Sequence, residues 1–183
     1  MGAVSYHIFH YLLFNLRKKV INYKVHVYGI ITNILICISM DVKFTKNHYR
    51  CAKRVTWDDV MKKMHNDDEE NNKLWVVGDP PTFVCRSLYT PKTIYTVKQK
   101  VKLPELHVYV SFLKESESFG HHKDHKHVLL VQAIGVMRYD VEDIMYELHP
   151  GDSLFIPAKV YHTPHPMQPR ATLSFSPLTI IDD

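Results

Sequence analysis

FGHHKDHKHVLLVQAIGV, residues 119–136, and ELHPGDSLFIPAKVYHTPHP, residues 147–166, decide how this chain reads. In the first stretch His122 and Asp124 stand two residues apart, just before the apolar run Val128 to Ile134. Extended backbone sends alternate side chains to opposite faces, so these two leave the same face and one strand can offer both to a single metal ion. In the second stretch Gly151-Asp152 ahead of Leu154-Phe155-Ile156-Pro157 reads as a tight turn feeding a short buried strand, and His162 arrives just after a second extended piece. With those strands side by side, His122, Asp124 and His162 make two imidazoles and one carboxylate. Three such ligands on one side of an octahedron leave the remaining positions open, which suits non-haem Fe(II).

Length and composition limit what houses such a site. The chain has 183 residues, 45% of them hydrophobic, enough for one domain with a core and an extension but not for a second full domain. A formal charge of +4, spread along the chain, permits an acidic partner without demanding one. Cys37, Cys51 and Cys85 are an odd count without zinc-finger or CxxC spacing, so a reducing, intracellular compartment is expected, cytoplasmic or nuclear.

Residues 1–40 contain no acidic residue and end in the uncharged segment Val25 to Met40. That segment is shorter than the roughly 20 residues of a spanning helix and holds His26, Thr32 and Asn33, so it reads as a leader or a segment packed on the core, not a membrane anchor. Asp41 to Arg54 mixes Lys43, Lys46, Arg50, Lys53 and Arg54 with Phe44, His48 and Tyr49; this could track a nucleic acid, but reads better as a solvated loop. Thr56 followed by Asp59 starts a helix with an acidic capping box, its apolar stripe is Val60, Met61 and Met64, and the polar tract 66–72 ends it. Beyond it, short extended pieces recur: Leu74–Val77, Thr82–Cys85, one around Ile94, Tyr95, Val97 and Val101, Leu106–Leu113 with Leu106, Val108, Val110 and Phe112 on one face, Ile144–Leu148, Ser153–Ile156 and Ala171–Ser176. Short strands separated by Gly- and Pro-rich turns predict an all-β sandwich or barrel over residues 41–183.

GHHKDHKHVLLVQAIGVMRY followed by LHPGDSLFIPAKVYH resembles the core of the cupin-like, JmjC-type oxygenases, whose pattern is H-x-D, an apolar strand, Q-x-x-G, then P-G-D-x-x-x-I-P-x-x-x-x-H. The match spans Leu106 to Ser176. It implies a double-stranded β-helix, or jelly roll, preceded by a short helical or irregular region, with His122, Asp124 and His162 as catalytic metal ligands. It further implies an Fe(II)- and 2-oxoglutarate-dependent hydroxylase or demethylase acting on a protein or a nucleic acid. Gln132 and Gly135 match the motif between the ligands, and Arg138, Gln132 and His127 are the residues expected to face the cosubstrate. His127 and His165 are read as pocket residues beside the ligands, His121 and His125 as pointing away.

One departure stands out. Where the family usually has Lys or Arg for the distal carboxylate of 2-oxoglutarate, two residues after Gly135, this chain has Met137 with Arg138 next to it. Neighbours on a strand face opposite ways, so Arg138 reaches the cavity only through a bulge; failing that, Arg86, Lys98, Lys100 or another cation takes the role. The alternative reading is a metal-binding cupin without oxygenase chemistry, either isomerase-like or a ligand-binding module.

Overall fold

The computed structural model describes residues 41–69 and 73–178, and the expectations for residues 1–40 lie outside the described residues. In order, the elements are β1 (Lys43–Thr45), a 3-10 turn (Arg50–Arg54), α1 (Trp57–Glu69), β2 (Leu74–Val77), β3 (Thr82–Cys85), α2 (Lys92–Val101) and β4 (Glu105–Ser111). They continue with β5 (His122–Lys123), β6 (Val128–Ile134), β7 (Met137–Val141), β8 (Ile144–Leu148), β9 (Ser153–Ile156), β10 (Tyr161–Pro166) and β11 (Arg170–Ser176). One antiparallel sheet runs β1-β9-β6-β11-β4-β3-β2 and the second runs β5-β10-β7-β8. From β4 onward the chain passes back and forth between them, which is the connectivity of a double-stranded β-helix.

Two apolar cores hold these layers. Val128, Leu130, Leu154 and Ile156 of the large sheet meet Met137, Tyr139, Val141 and Leu148 of the small sheet. On its other face the large sheet presents Leu106, Val108, Val110, Val131, Ala133, Leu173 and Phe175 to Val60 and Met64 of α1 and to Ile94 and Val97 of α2. The apolar stripe of β4 therefore lies beneath helices rather than inside the barrel. β6 reads as a continuous apolar run because both of its faces are covered.

Two expectations are corrected here, and one strand is added to those expected. The segment around Ile94 is helix, not strand: Ile94, Val97 and Val101 recur at the helical interval while Tyr95 is exposed, and Lys102 in a left-handed conformation closes the helix with its N–H on Lys98 O at 3.0 Å. α1 begins with the expected box, in which Thr56 N–H donates to Asp59 Oδ2 at 2.9 Å and Asp59 N–H to Thr56 Oγ1 at 3.3 Å. It runs on through Glu69, however, because Asp67 is buried against Lys63 and Ser87 and is not part of a solvated tract. The stretch between the two motif halves contains a strand, β7, whose Met137, Tyr139 and Val141 point inward.

Turn chemistry sets the register of the site strands. Asp152, 2% exposed, accepts the N–H groups of Asn47 at 2.7 Å and His149 at 3.0 Å, so the P-G-D turn is a backbone clamp. Gly135 has φ +72 between β6 and β7, and a Cβ there would lie 2.1 Å from Pro169 O and 3.1 Å from the Arg170 Cα. We expect Gly135→Ala to cost about 2 kcal/mol or more through left-handed strain and this backbone clash, read as a fall in thermal midpoint. A midpoint equal to that of the parent chain would contradict the close approach.

Candidate metal centre

The ligand cluster is built by pairing β5 with β10, in which His122 and His162 are direct cross-strand partners. The imidazole centroids lie 4.2 Å apart. Asp124 follows β5 by one residue, held by Lys159 N–H donating to its carbonyl at 2.8 Å, and its Oδ2 lies 3.7 Å from His162 Nε2. One ligand atom from each of His122, Asp124 and His162 lies within 4.8 Å of the others. The apolar run begins only at Val128, in the other sheet, so H-x-D and that run are two strands rather than one.

Backbone carbonyls determine which nitrogen is free. His122 Nδ1 lies 3.0 Å from Gly120 O and His162 Nδ1 lies 3.1 Å from Val160 O. A carbonyl can only accept, so both Nδ1 atoms carry a proton, which makes Nε2 the lone-pair nitrogen of the neutral ring; this is the outer contact that typically orients a metal-binding histidine. Burial pushes the His162 pKa below its ordinary value and the neighbouring His122 adds to this, while the Val160 carbonyl and Asp124 oppose it. His162 is accordingly neutral at neutral pH. Two imidazole Nε2 atoms and a carboxylate oxygen are a donor set that fits a divalent first-row metal with further positions open.

Next to the cluster lies a recess of about 30 Å³, lined by His122, Asp124, His162, Tyr109, Tyr139 and Arg170 among others. A larger groove of about 310 Å³ shares His122, Asp124 and Tyr109 with it and extends over Glu105, His107, Lys126 and Trp75. Glu105 is held below the usual carboxylate range despite its partial burial, because Lys126 and Ser176 bond it. Burial raises the pKa of both phenols, and Asp124 adds to the rise, so Tyr109 and Tyr139 stay protonated donors.

Arg170 is the buried cation of the recess that sequence reasoning missed. It is 1% exposed, its Nη1 donates to Tyr109 O at 3.3 Å, its Nε has no hydrogen-bond partner, and no carboxylate among the described residues pairs with it. A signal was present: Arg170 is a lone charge opening the strand RATLSFS. The expected cation, Arg138, is elsewhere. β7 pairs with β8 and β10 without a bulge, so Met137 points into the core and Arg138 outward, with its Nε 3.2 Å from Asp140 Oδ1.

The remaining candidates separate in the same way. Gln132 is buried with its amide spent on structure: Nε2 donates to Ile134 O and Gly135 O, and Oε1 accepts from Thr172 Oγ1. His127 Nδ1 accepts the Ala158 N–H at 3.0 Å, away from both cavities. His165 lies on the outer face against Asp140, at 3.0 Å, and is not a pocket residue of the cluster. His121 does point away, stacked on Tyr161 at 4.8 Å, whereas His125 lines the groove.

No protein-family model matches the chain, and none of the curated proteins does. Among solved structures, the ribosomal oxygenase YcfD from Escherichia coli, in complexes with cobalt and succinic acid or 2-oxoglutarate, is 18% identical, with a TM-score of 0.47 over 52% of this chain and 31% of that one. This chain thus spans about a third of the length of YcfD. A cupin superfamily protein from Desulfitobacterium hafniense is 15% identical, with a TM-score of 0.42 over 55% of this chain and 78% of that one. Likenesses of this order leave the fold to be read from the strand connectivity and the chemistry from the side chains. By that connectivity, residues 105–176 are a cupin-like double-stranded β-helix carrying a His-x-Asp…His motif.

Proposed function

We propose that the chain is an Fe(II)- and 2-oxoglutarate-dependent oxygenase, a hydroxylase or demethylase acting on a protein or a nucleic acid. The observation that carries this reading is the convergence of His122, Asp124 and His162 beside a buried guanidinium without a carboxylate partner. The bound iron would supply the redox chemistry that couples conversion of 2-oxoglutarate and dioxygen to succinate and carbon dioxide with insertion of the other oxygen atom into a substrate C–H bond. The chain's own part is positional. Two imidazoles fixed in one tautomer and one carboxylate hold one side of the metal.

Arg170 meets the distal carboxylate of the cosubstrate. A guanidinium taken out of water carries a desolvation cost that one carbonyl does not offset, and an anion would offset it. Tyr109, held as a phenol, offers an O–H donor at the same recess, and Val128 and Leu130 limit water there. One observation favours the second reading, a metal-binding cupin without this cosubstrate: the recess beside Arg170, at about 30 Å³, is much the smaller of the two cavities that His122 and Asp124 line.

The test is succinate formation from 2-oxoglutarate with Fe(II), with and without candidate polymers. Succinate formation dependent on Fe(II) supports the oxygenase; stoichiometric metal without any 2-oxoglutarate binding supports the second reading. Asp124→Ala removes the only carboxylate of the cluster and is expected to weaken Mn(II) binding more than about a hundredfold with the fold intact, since even changes to outer contacts cost 10- to 100-fold. Unchanged Mn(II) stoichiometry and affinity would show that Asp124 is not a ligand. Arg170→Met is expected to raise the KM for 2-oxoglutarate at least about tenfold with little effect on metal affinity, as befits a lost charge-assisted bond. Arg138→Ala should leave that KM near the parent value, and the reverse pattern would restore Arg138 to the role.

A further inference from the structure

Two connections cross between the sheets side by side. Residues 124–127 lead from β5 to β6, and residues 157–160 lead from β9 to β10. Strand pairing holds them together at both ends, where Lys123 lies opposite Tyr161 and Val128 opposite Ile156. β5 is only two residues long, so that pairing fixes His122 but stops one residue short of Asp124.

Between those ends the crossing is joined by individual hydrogen bonds. Lys159 N–H donates to Asp124 O at 2.8 Å, Ala158 N–H to His127 Nδ1 at 3.0 Å, and Val160 N–H to Pro157 O at 3.4 Å. Lys159 has φ +66, the left-handed region that a residue with a Cβ rarely adopts and keeps only where its surroundings hold it. The turn ends at Val160, whose carbonyl faces His162 Nδ1 at 3.1 Å. Two of the three ligands therefore depend on this turn, Asp124 through the N–H of Lys159 and His162 through the carbonyl of Val160.

At Ala158 the acceptor is a side chain rather than backbone. An N–H can only donate, so His127 Nδ1 presents its lone pair to the turn. The His127 ring also packs on Phe155, with centroids 5.7 Å apart. His127 lines neither the recess nor the groove, so whatever it does for the ligands passes through the turn.

We propose that His127 is a positioning residue of the metal centre. By accepting the Ala158 N–H it fixes the turn 157–160, and through the turn it fixes both the backbone that carries the Asp124 carboxylate and the carbonyl that orients the His162 ring. This rests on the reading of His122, Asp124 and His162 as metal ligands. Loss of an outer contact of this kind typically weakens metal binding 10- to 100-fold.

The experiment measures Mn(II) affinity of the full chain by calorimetry in the parent, His127→Asn and His127→Leu. Asparagine puts its Oδ1 where the imidazole has Nδ1, and leucine has nearly the same shape without an acceptor. Both variants lose the ring against Phe155, and only one loses the hydrogen bond. His127→Leu is expected to bind Mn(II) about 10- to 100-fold more weakly than the parent, and His127→Asn to stay within about threefold of it. If His127→Leu does not fold, as read by circular dichroism, His127→Phe, which keeps a ring and has no acceptor, takes its place. Equal affinities in the asparagine variant and the variant without an acceptor, parent-like or weakened alike, or tighter binding without the acceptor, would overturn the role of His127 alone. A folded parent chain that binds no Mn(II) would instead remove the metal reading, and the role of His127 with it.

Discussion

Burying both faces of β6 and β11 requires a cover on each side, and the remaining elements are arranged to provide it. α1, α2 and the 3-10 turn cover one face through Ala52, Val60, Ile94 and Val97; the small sheet covers the other through Met137, Tyr139 and Val141. The inner face of the large sheet is not uniform. Its β6 and β9 side is apolar, with Val128, Leu130, Leu154 and Ile156, whereas β4 and β11 turn Glu105, His107, Tyr109, Arg170 and Ser174 toward the same interior. A closed core forms over the first half. Over the second, polar side chains do not pack to exclusion and a cavity remains, which is where β5 and β10 deliver the three ligands.

Two buried cations show how burial separates structure from chemistry. Lys63 is fully buried, and its ammonium meets Asp67 Oδ1, Ser87 O and Ser87 Oγ; Asp67 in turn accepts the N–H groups of Arg86 and Ser87. Every donor of Lys63 is satisfied inside the chain, so this network ties the end of β3 to α1. Arg170 is buried to the same degree but makes one hydrogen bond, to a carbonyl, and leaves its Nε without a partner. The difference lies in what surrounds the charge.

Much of the fold and of the metal cluster was legible in the order of residues. H-x-D, an apolar run, a P-G-D turn and a later histidine are local patterns, each set by chemistry within a few residues, and they point to His122, Asp124 and His162 as candidate ligands, to the turn at Gly151-Asp152 and to β6 and β9 of the jelly roll. The box at Thr56 and Asp59 was legible for the same reason. The helix at Lys92–Val101 was misread because its β-branched residues favour strands, although the interval from Ile94 to Val97 and Val101 is helical.

What the sequence determined by itself was therefore the set of local periods and turns, and through them the candidate ligands and the class of fold. Tertiary structure alone decided which side of each strand is the interior. Alternation shows that Leu106, Val108 and Val110 share a face, but not that this face lies under helices while Tyr109 and His107 look into the barrel. It shows that Met137 and Arg138 are opposed, but only the uninterrupted pairing of β7 with β8 and β10 sends Arg138 outward. It leaves Arg170 as one charge among many, since burial beside His122 and Asp124 depends on β11 lying between β4 and β6, contacts between residues far apart in the chain. Period follows from neighbouring residues; inside and outside follow from what packs against them.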